Sequence, residues 1–534
     1  MPYLLSLLPI LLLVVLSLTR GVKVAVLVGA IFTTVLFFYW GATAAHFLAA
    51  MGASLLTTIN ILMIVLGATF LYNIMSRNGL INQITHSLDQ LHPSKELRFF
   101  LLAIGLTAFF EGVAGFGTPG AIVPLILIAL GFDAVLSVAV VLLFDGLFAI
   151  FGAVGTPLLT GLQAPLGLPD AAIRDIAWMA AGINVLVGLL ILWLVFRMVV
   201  RSHGDLKHRR QVLLLYLFIA LPFLLLAWLA AELATVLASL TMLGLSVLYL
   251  RQKNVKIDLK PWLPYALLAI MLLLPKLSPV LRSWLGWELA FENMFGTGIR
   301  AAIRPLASPL LPFAAVGLGV AALCRSKSLY LAEPLKKMLA VFAVLFPSIA
   351  IAQLMIHSGV TRPSMVRYIS EMLSGLGPAY VVFAPFVGIM GAFITGSTTI
   401  SNVVFGASQL ETAAVLGLNP NVLLALQLSG AGLGNAICLF NIIAAASVAN
   451  IQNYKAILAA NMLPTLLAGH WPVHLAGSLC PYFDAINLLP FLLQVLLTYA
   501  LWPYISVSVR FTQKRIYALT KCIKIATFFG EMML

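Results

Sequence analysis

The sequence predicts an all-α polytopic membrane protein, and three observations carry that class. Hydrophobic residues make up 62% of the 534-residue chain, charged residues only 9%, and the mean hydropathy is +1.08, more apolar sequence than a soluble core needs. Apolar runs of about 17–25 residues, the length a bilayer requires, recur from end to end and give about 12 to 14 spanning or half-spanning elements. Glycine- and hydroxyl-rich breaks interrupt these runs in pairs, one pair in each half of the chain.

Residues 1–97 read as N-terminal scaffold helices. The run at 2–19 has no basic stretch before it and no small-residue cleavage site after it, so it reads as a first helix, not a removable signal. Short basic loops set the orientation. Arg20, Lys23 and the loop from Arg77 to Arg98 fall in the cytoplasm, with the N-terminus outside. Residues 197–377 hold central helices and the strongest basic loops, "RMVVRSHGDLKHRR" at 197–210, "RQKNVKIDLK" at 251–260 and Arg325 to Lys337, all cytoplasmic, with a tight turn expected near Glu232. The loop at 358–377 falls outside even though it carries Arg362 and Arg367. The last segment, 472–534, reads as a C-terminal helix and a basic tail; the loop at 472–485 has no Lys or Arg, which places Cys480 outside and Cys522 in the cytoplasm.

The net charge of +14 is explained by these loops, so no nucleic-acid partner is implied. The four cysteines, Cys324, Cys438, Cys480 and Cys522, are scattered singly, and His470 and His474 are spaced i, i+4 with no glutamate beside them. Neither pattern indicates a disulfide framework, a metal site or a cofactor. A membrane-embedded enzyme would need a nucleophile with its base, an acid cluster or an HExxH string, and the sequence offers none.

Residues 98–196 form a first repeat. From Arg98 to Phe110 there are 13 residues, about 20 Å of helix against a hydrocarbon thickness of about 30 Å, so Glu111 sits deep in the membrane. The string "GVAGFGTPG" follows, with Thr118 expected as N-cap and Pro119 at the first helical position. The first break thus covers 111–120, and the second, "GAVGTPLLTGLQ" at 152–163, repeats the Thr-Pro helix start. A second repeat at 378–471 offers counterparts in "ITGSTTISNVVFGASQ", broken near 394–402, and "LSGAGLGNAICLFN" at 428–441. The order of runs and breaks matches between the halves, while the topology enters one half from the cytoplasm and the other from outside. Inverted repeats whose breaks meet near the midplane are the build of secondary transporters. Close helix packing explains some of the glycines, but not Ser397, Thr398, Thr399, Ser401 and Asn402 in so short a span.

No break contains Lys or Arg. A bound carboxylate would therefore be held by half-helix N-termini, by backbone N–H groups around Gly115 and Gly117, and by the hydroxyls of Thr118, Ser397, Thr398, Thr399 and Ser401, with Asn402, Asn435 and Asn441 as further donors. That favours a small monocarboxylate, because a second desolvated negative charge would cost several kcal/mol more. Glu111 and Asp145 are the intramembrane acids, and a proton-coupling role is the default for such residues; the alternative is a carboxyl kept protonated and bonded to backbone at a break. Hydroxyls, amides and free carbonyls at a broken helix also suit Na⁺, so H⁺ and Na⁺ both stay open. Asp133 and Glu411 read as interfacial or capping residues. An anion channel is the rival class, against which the paired breaks argue for alternating access. Membrane lipid is the surrounding partner, and a homo-oligomer is compatible with the sequence.

The strings "EGVAGFGTPGAI", "FGAVGTPLLTGLQ" and "GSTTISNVVFGASQ" resemble segments of the lactate permease family, within the ion-transporter superfamily, and length and motif order agree over nearly the whole chain. The resemblance implies uptake of L-lactate, D-lactate or glycolate with protons across the bacterial inner membrane. It also marks departures. The family pattern has an Asp after the Gly-Ser of the third string and a Lys after the last glycine of the fourth break, where this chain has Thr398 and Asn435; it tends to an Asn where this chain has Asp145.

Overall fold

The computed structural model describes residues 2–479 apart from 90–91, 93, 116, 205–206, 251–259 and 307. Cys480, Cys522 and the basic tail lie outside the described residues. Helix dominates, as backbone groups without water require; the sheet among the described residues is one antiparallel pair, Leu289–Phe291 with Ala301–Ile303, in which Ala290 faces Ala302. Eight described helices are long and apolar enough to cross a bilayer, or nine if the pair Pro420–Ile437 and Leu439–Val448, bent by 44°, counts as one span. Shorter apolar helices such as Thr118–Ala129 and Leu310–Leu323 fall below that length. The chain is a multi-pass membrane protein.

Burial separates scaffold from centre. The span Val22–Tyr39 is 33% buried, whereas Ala134–Leu166 is 89% buried. On the first of these, Leu27, Ile31 and Val35 stand exposed at i, i+4 spacing, a stripe suited to lipid and costly in water. The span that carries the second break is thus the most enclosed of the eight described spans, and Val22–Tyr39 the least.

Eight helices frame that middle, numbered here in chain order: α1 (Thr107–Val113), α2 (Thr118–Ala129), α3 (Ala134–Phe148), α4 (Gly152–Leu158), α5 (Tyr380–Thr395), α6 (Thr398–Leu416), α7 (Pro420–Gly434) and α8 (Leu439–Val448). Each half runs through the same series. A helix leads through left-handed glycine into a second helix, a third follows, and a short 3₁₀ turn (Ala149–Phe151 or Asn435–Ile437) separates it from a fourth. The left-handed residues are Gly115 (φ 52°) and Gly117 (φ 77°) between α1 and α2 and Gly396 (φ 70°) between α5 and α6, a conformation that costs other residues about 1–2 kcal/mol.

Glycines also let the helices approach closely. A Cβ on Gly430 would lie 2.0 Å from the Pro385 carbonyl oxygen, one on Gly388 2.4 Å from that of Gln427, and one on Gly434 2.4 Å from that of Ile389, so α5 and α7 touch backbone to backbone. The halves meet in the same way, with Gly146 of α3 against Gly432 of α7. The expected helix start at Thr118 is corrected by one position. Gly117 is the N-cap, and Thr118 and Pro119 occupy the first turn, because the left-handed turn that reverses the chain needs a glycine. The last described helix runs from Tyr454 to Leu479, past the end at 471 that the hydropathy suggests.

Candidate functional site

The breaks converge on one cavity of about 70 Å³. Its walls include Glu111, Gly117, Asp145, Thr156, Gly396, Ser397, Thr398, Thr399, Asn435 and Asn441. Helix starts supply much of this lining. Gly117 caps α2, Ser397 caps α6 and accepts from the Ile400 N–H, and Asn441 lies in the first turn of α8. Thr156 and Pro157 begin the regular part of α4 after three left-handed residues, Ala153, Val154 and Gly155. The first N–H groups of a helix have no intrahelical acceptor and carry the positive end of its dipole. Four such ends border one small space, so an anion there can be met by backbone N–H groups without any lysine or arginine in its wall.

Two acids stand in the same wall. Glu111 and Asp145 are 7% and 5% exposed and interact directly with each other. Gly152 is what admits the Glu111 side chain, since a Cβ there would lie 2.0 Å from Glu111 Oε1. A basic residue that the breaks themselves do not reveal also acts on this pair: Lys337, on the helix Ala332–Ile356, attracts Glu111 from outside the cavity lining.

The second-half wall is tied together by neutral groups. Asn435 Nδ2 donates to Thr398 Oγ1 at 2.8 Å, and Thr398 Oγ1 donates to the Ala431 carbonyl at 3.4 Å. Thr398 and Asn435 are thus hydrogen-bonded neighbours. Asn441 Nδ2 donates to the Asn435 carbonyl at 3.3 Å.

Of the residues singled out in the sequence, Glu111, Asp145, Gly117, Ser397, Thr398, Thr399, Asn435 and Asn441 line this cavity, while Gly115, Thr118, Ser401 and Asn402 do not. Ser401 Oγ donates to the Gly388 carbonyl at 2.9 Å, and Asn402 Nδ2 reaches across to the Pro157 carbonyl at 3.1 Å. Both hold α6 in place. They join a buried network absent from the sequence reading, in which Tyr380 donates to Gln409 Oε1 at 2.8 Å, Gln409 to Gln427 Oε1 at 3.0 Å, and Gln427 to Ser401 Oγ at 3.2 Å. A buried polar side chain needs a partner, so glutamines at 409 and 427 inside apolar runs are the signal that could have revealed it. Thr156, at the Thr-Pro helix start of the second break, lines the cavity as well. Asp133 caps α3 by accepting from the Leu136 N–H at 2.8 Å, whereas Glu411 lies within α6 and, instead of capping it, pairs with Arg367 at 3.1 Å.

A second, larger cavity of about 850 Å³ is lined by Gln163, Asp170, Glu288, Arg300, Gln353 and Glu411 among others. Thr160 in its wall lies one helical turn beyond Thr156 of the central cavity.

Broken membrane helices closing on a small polar cavity are the build of membrane carriers. The sequence narrows that class. The L-lactate permease family profile matches residues 2–261 and 314–467, and the chain belongs to that family, which is one of transporters and not enzymes. It is 26% identical over 433 residues to the L-lactate permease of Halalkalibacterium halodurans, covering 74% of this chain and 80% of that one. It is 27% identical over 386 residues to the L-lactate permease of Streptococcus iniae, covering 67% and 79%, and 23% identical over 448 residues to the glycolate permease of Escherichia coli, covering 70% and 76%.

Proposed function

We propose that this protein is a secondary active carrier of the bacterial inner membrane that takes up a short monocarboxylate, of lactate or glycolate type, together with a proton. The observation that carries the reading is the convergence of four helix starts and two adjacent acids on one cavity. Size supports the substrate class. A water needs roughly 10–15 Å³ by this measure, so about 70 Å³ holds about five to seven water-sized groups, the heavy-atom count of a two- or three-carbon hydroxy acid. Charge supports it too. The first N–H groups of α2, α4, α6 and α8 favour a bound anion, and an anion beside Glu111 and Asp145 is repelled less when that pair keeps a proton, so anion and proton favour one another's binding.

In this reading the two halves are inverted repeats, the α1–α2 hairpin entered from the cytoplasm and the α5–α6 hairpin from outside, and rocking of one about the other exposes the cavity to alternate sides. Uptake into proteoliposomes tests it. Accumulation of labelled lactate should follow an imposed inward proton gradient and collapse with a protonophore. Accumulation driven by a sodium gradient alone would replace the proton with Na⁺ and contradict the coupling assignment.

A further inference from the structure

Two oxygens in the cavity residues have no partner in the protein. Among the described residues, the buried side-chain atoms without a hydrogen bond include Asp145 Oδ1 and Asn435 Oδ1, and both residues line the central cavity. The hydrogen-bond network fixes which end of the Asn435 amide is left over. Thr398 spends its only hydrogen on the Ala431 carbonyl, so its oxygen can only accept from Asn435, and the Asn435 group that meets it is the NH₂. The free atom is therefore the amide oxygen, an acceptor. Asp145 lines the same cavity from α3, whose next residue, Gly146, packs against α7 and the turn after it: a Cβ there would lie 2.9 Å from the Gly432 carbonyl oxygen and 3.6 Å from Ala436 Cβ.

A buried acceptor left without a donor is costly, and a carboxylate cannot supply one because it only accepts. A hydroxyl on the carbon next to the carboxylate can. We propose that Asn435 Oδ1 accepts the hydrogen of that hydroxyl, so that Asn435 sets a preference for 2-hydroxy acids over 2-oxo and unsubstituted acids of the same size. The assignment rests on the reading of the cavity as a monocarboxylate site. A 2-oxo acid would bring a further acceptor into a cavity that already holds unpartnered ones, and an unsubstituted acid would leave Asn435 Oδ1 unsatisfied; a site built around a substrate hydroxyl rejects both kinds of analogue.

The test is competition against labelled lactate exchange in proteoliposomes, with unlabelled lactate, pyruvate and propionate. The wild-type protein should be inhibited by lactate at about tenfold lower concentration than by either analogue. Asn435→Leu, which keeps the size and removes the oxygen, should bring the three acids to within about threefold of one another. Equal competition by the three acids in the wild type, with lactate exchange intact, would overturn the hydroxyl assignment alone and needs no variant. A folded Asn435→Leu protein that keeps the full preference would overturn it as well. Failure of the wild type to exchange any of the three would take down the monocarboxylate reading and this inference with it.

Discussion

Glu111 and Asp145 interact within one wall of the cavity, shielded from solvent, and this adjacency gives the proton its place. The amide of Glu111→Gln mimics the protonated acid but cannot release a proton. That variant should lose uphill accumulation and keep exchange at equal concentrations on both sides; full uphill uptake by a well-expressed variant would remove Glu111 from the coupling. Asp145→Asn should shift the pH dependence of initial uptake more than it shifts substrate preference, and an unchanged profile would make Asp145 a packing residue. A third expectation uses the 2.8 Å contact of Asn435 with Thr398. Asn435→Lys places a buried cation against a neutral hydroxyl, at a cost of roughly 3–5 kcal/mol, and adding Thr398→Asp should restore much of the activity at matched expression. Equal activity of the single and double variants would show that the positions do not couple. At this scale the acids and hydroxyls of the site were legible because charge and polarity at membrane depth are rare. The split between Thr399 in the cavity wall and Ser401 and Asn402 in internal bonds was not, since on one helix the facing direction depends on neighbours that the local string does not name.

Among the elements, the break before α4 stores strain. Ala153 (φ 43°) and Val154 (φ 55°) are left-handed without being glycine, each at a cost of about 1–2 kcal/mol. Ala153→Gly relieves that strain for the loss of one methyl, worth about 0.8 kcal/mol, and should leave thermal stability in detergent unchanged or raised by up to about 1 kcal/mol. Gly155→Ala should do the reverse, since its Cβ would lie 2.5 Å from Glu232 Cα; a destabilisation of more than about 1 kcal/mol is expected. A large loss in the first variant, or none in the second, would mean that the turn is not packed as described. Each break falls within or beside a string of glycine, proline and hydroxyl residues, which punctuate apolar runs; the second begins at Ala149, ahead of its string. The left-handed Ala-Val pair was not, because tertiary packing imposes a conformation that local preference opposes. The π-helical turns at Leu101–Leu106 and Leu159–Gln163 left no trace in the sequence for the same reason.

For the whole molecule, the orientation is an expectation drawn from the basic loops, and the loop at 358–377 is the one whose arginines run against it. There Arg362 lies over the rings of Trp40 and Tyr39, at 4.5 and 5.0 Å, and Arg367 bridges Glu371 and Glu411. The all-α membrane class followed from hydropathy; the larger cavity did not, because residues from distant segments such as Asn60, Gln163, Arg300 and Glu411 build it. The central claim is that the cavity binds an anion and is exposed to one side at a time. Counterflow tests it most directly. Proteoliposomes loaded with unlabelled lactate and diluted into trace labelled lactate should take up label transiently above equilibrium, because each outward passage of unlabelled substrate returns the site for an inward one. Label that merely equilibrates, at a rate indifferent to lactate inside, would describe a channel and contradict the account.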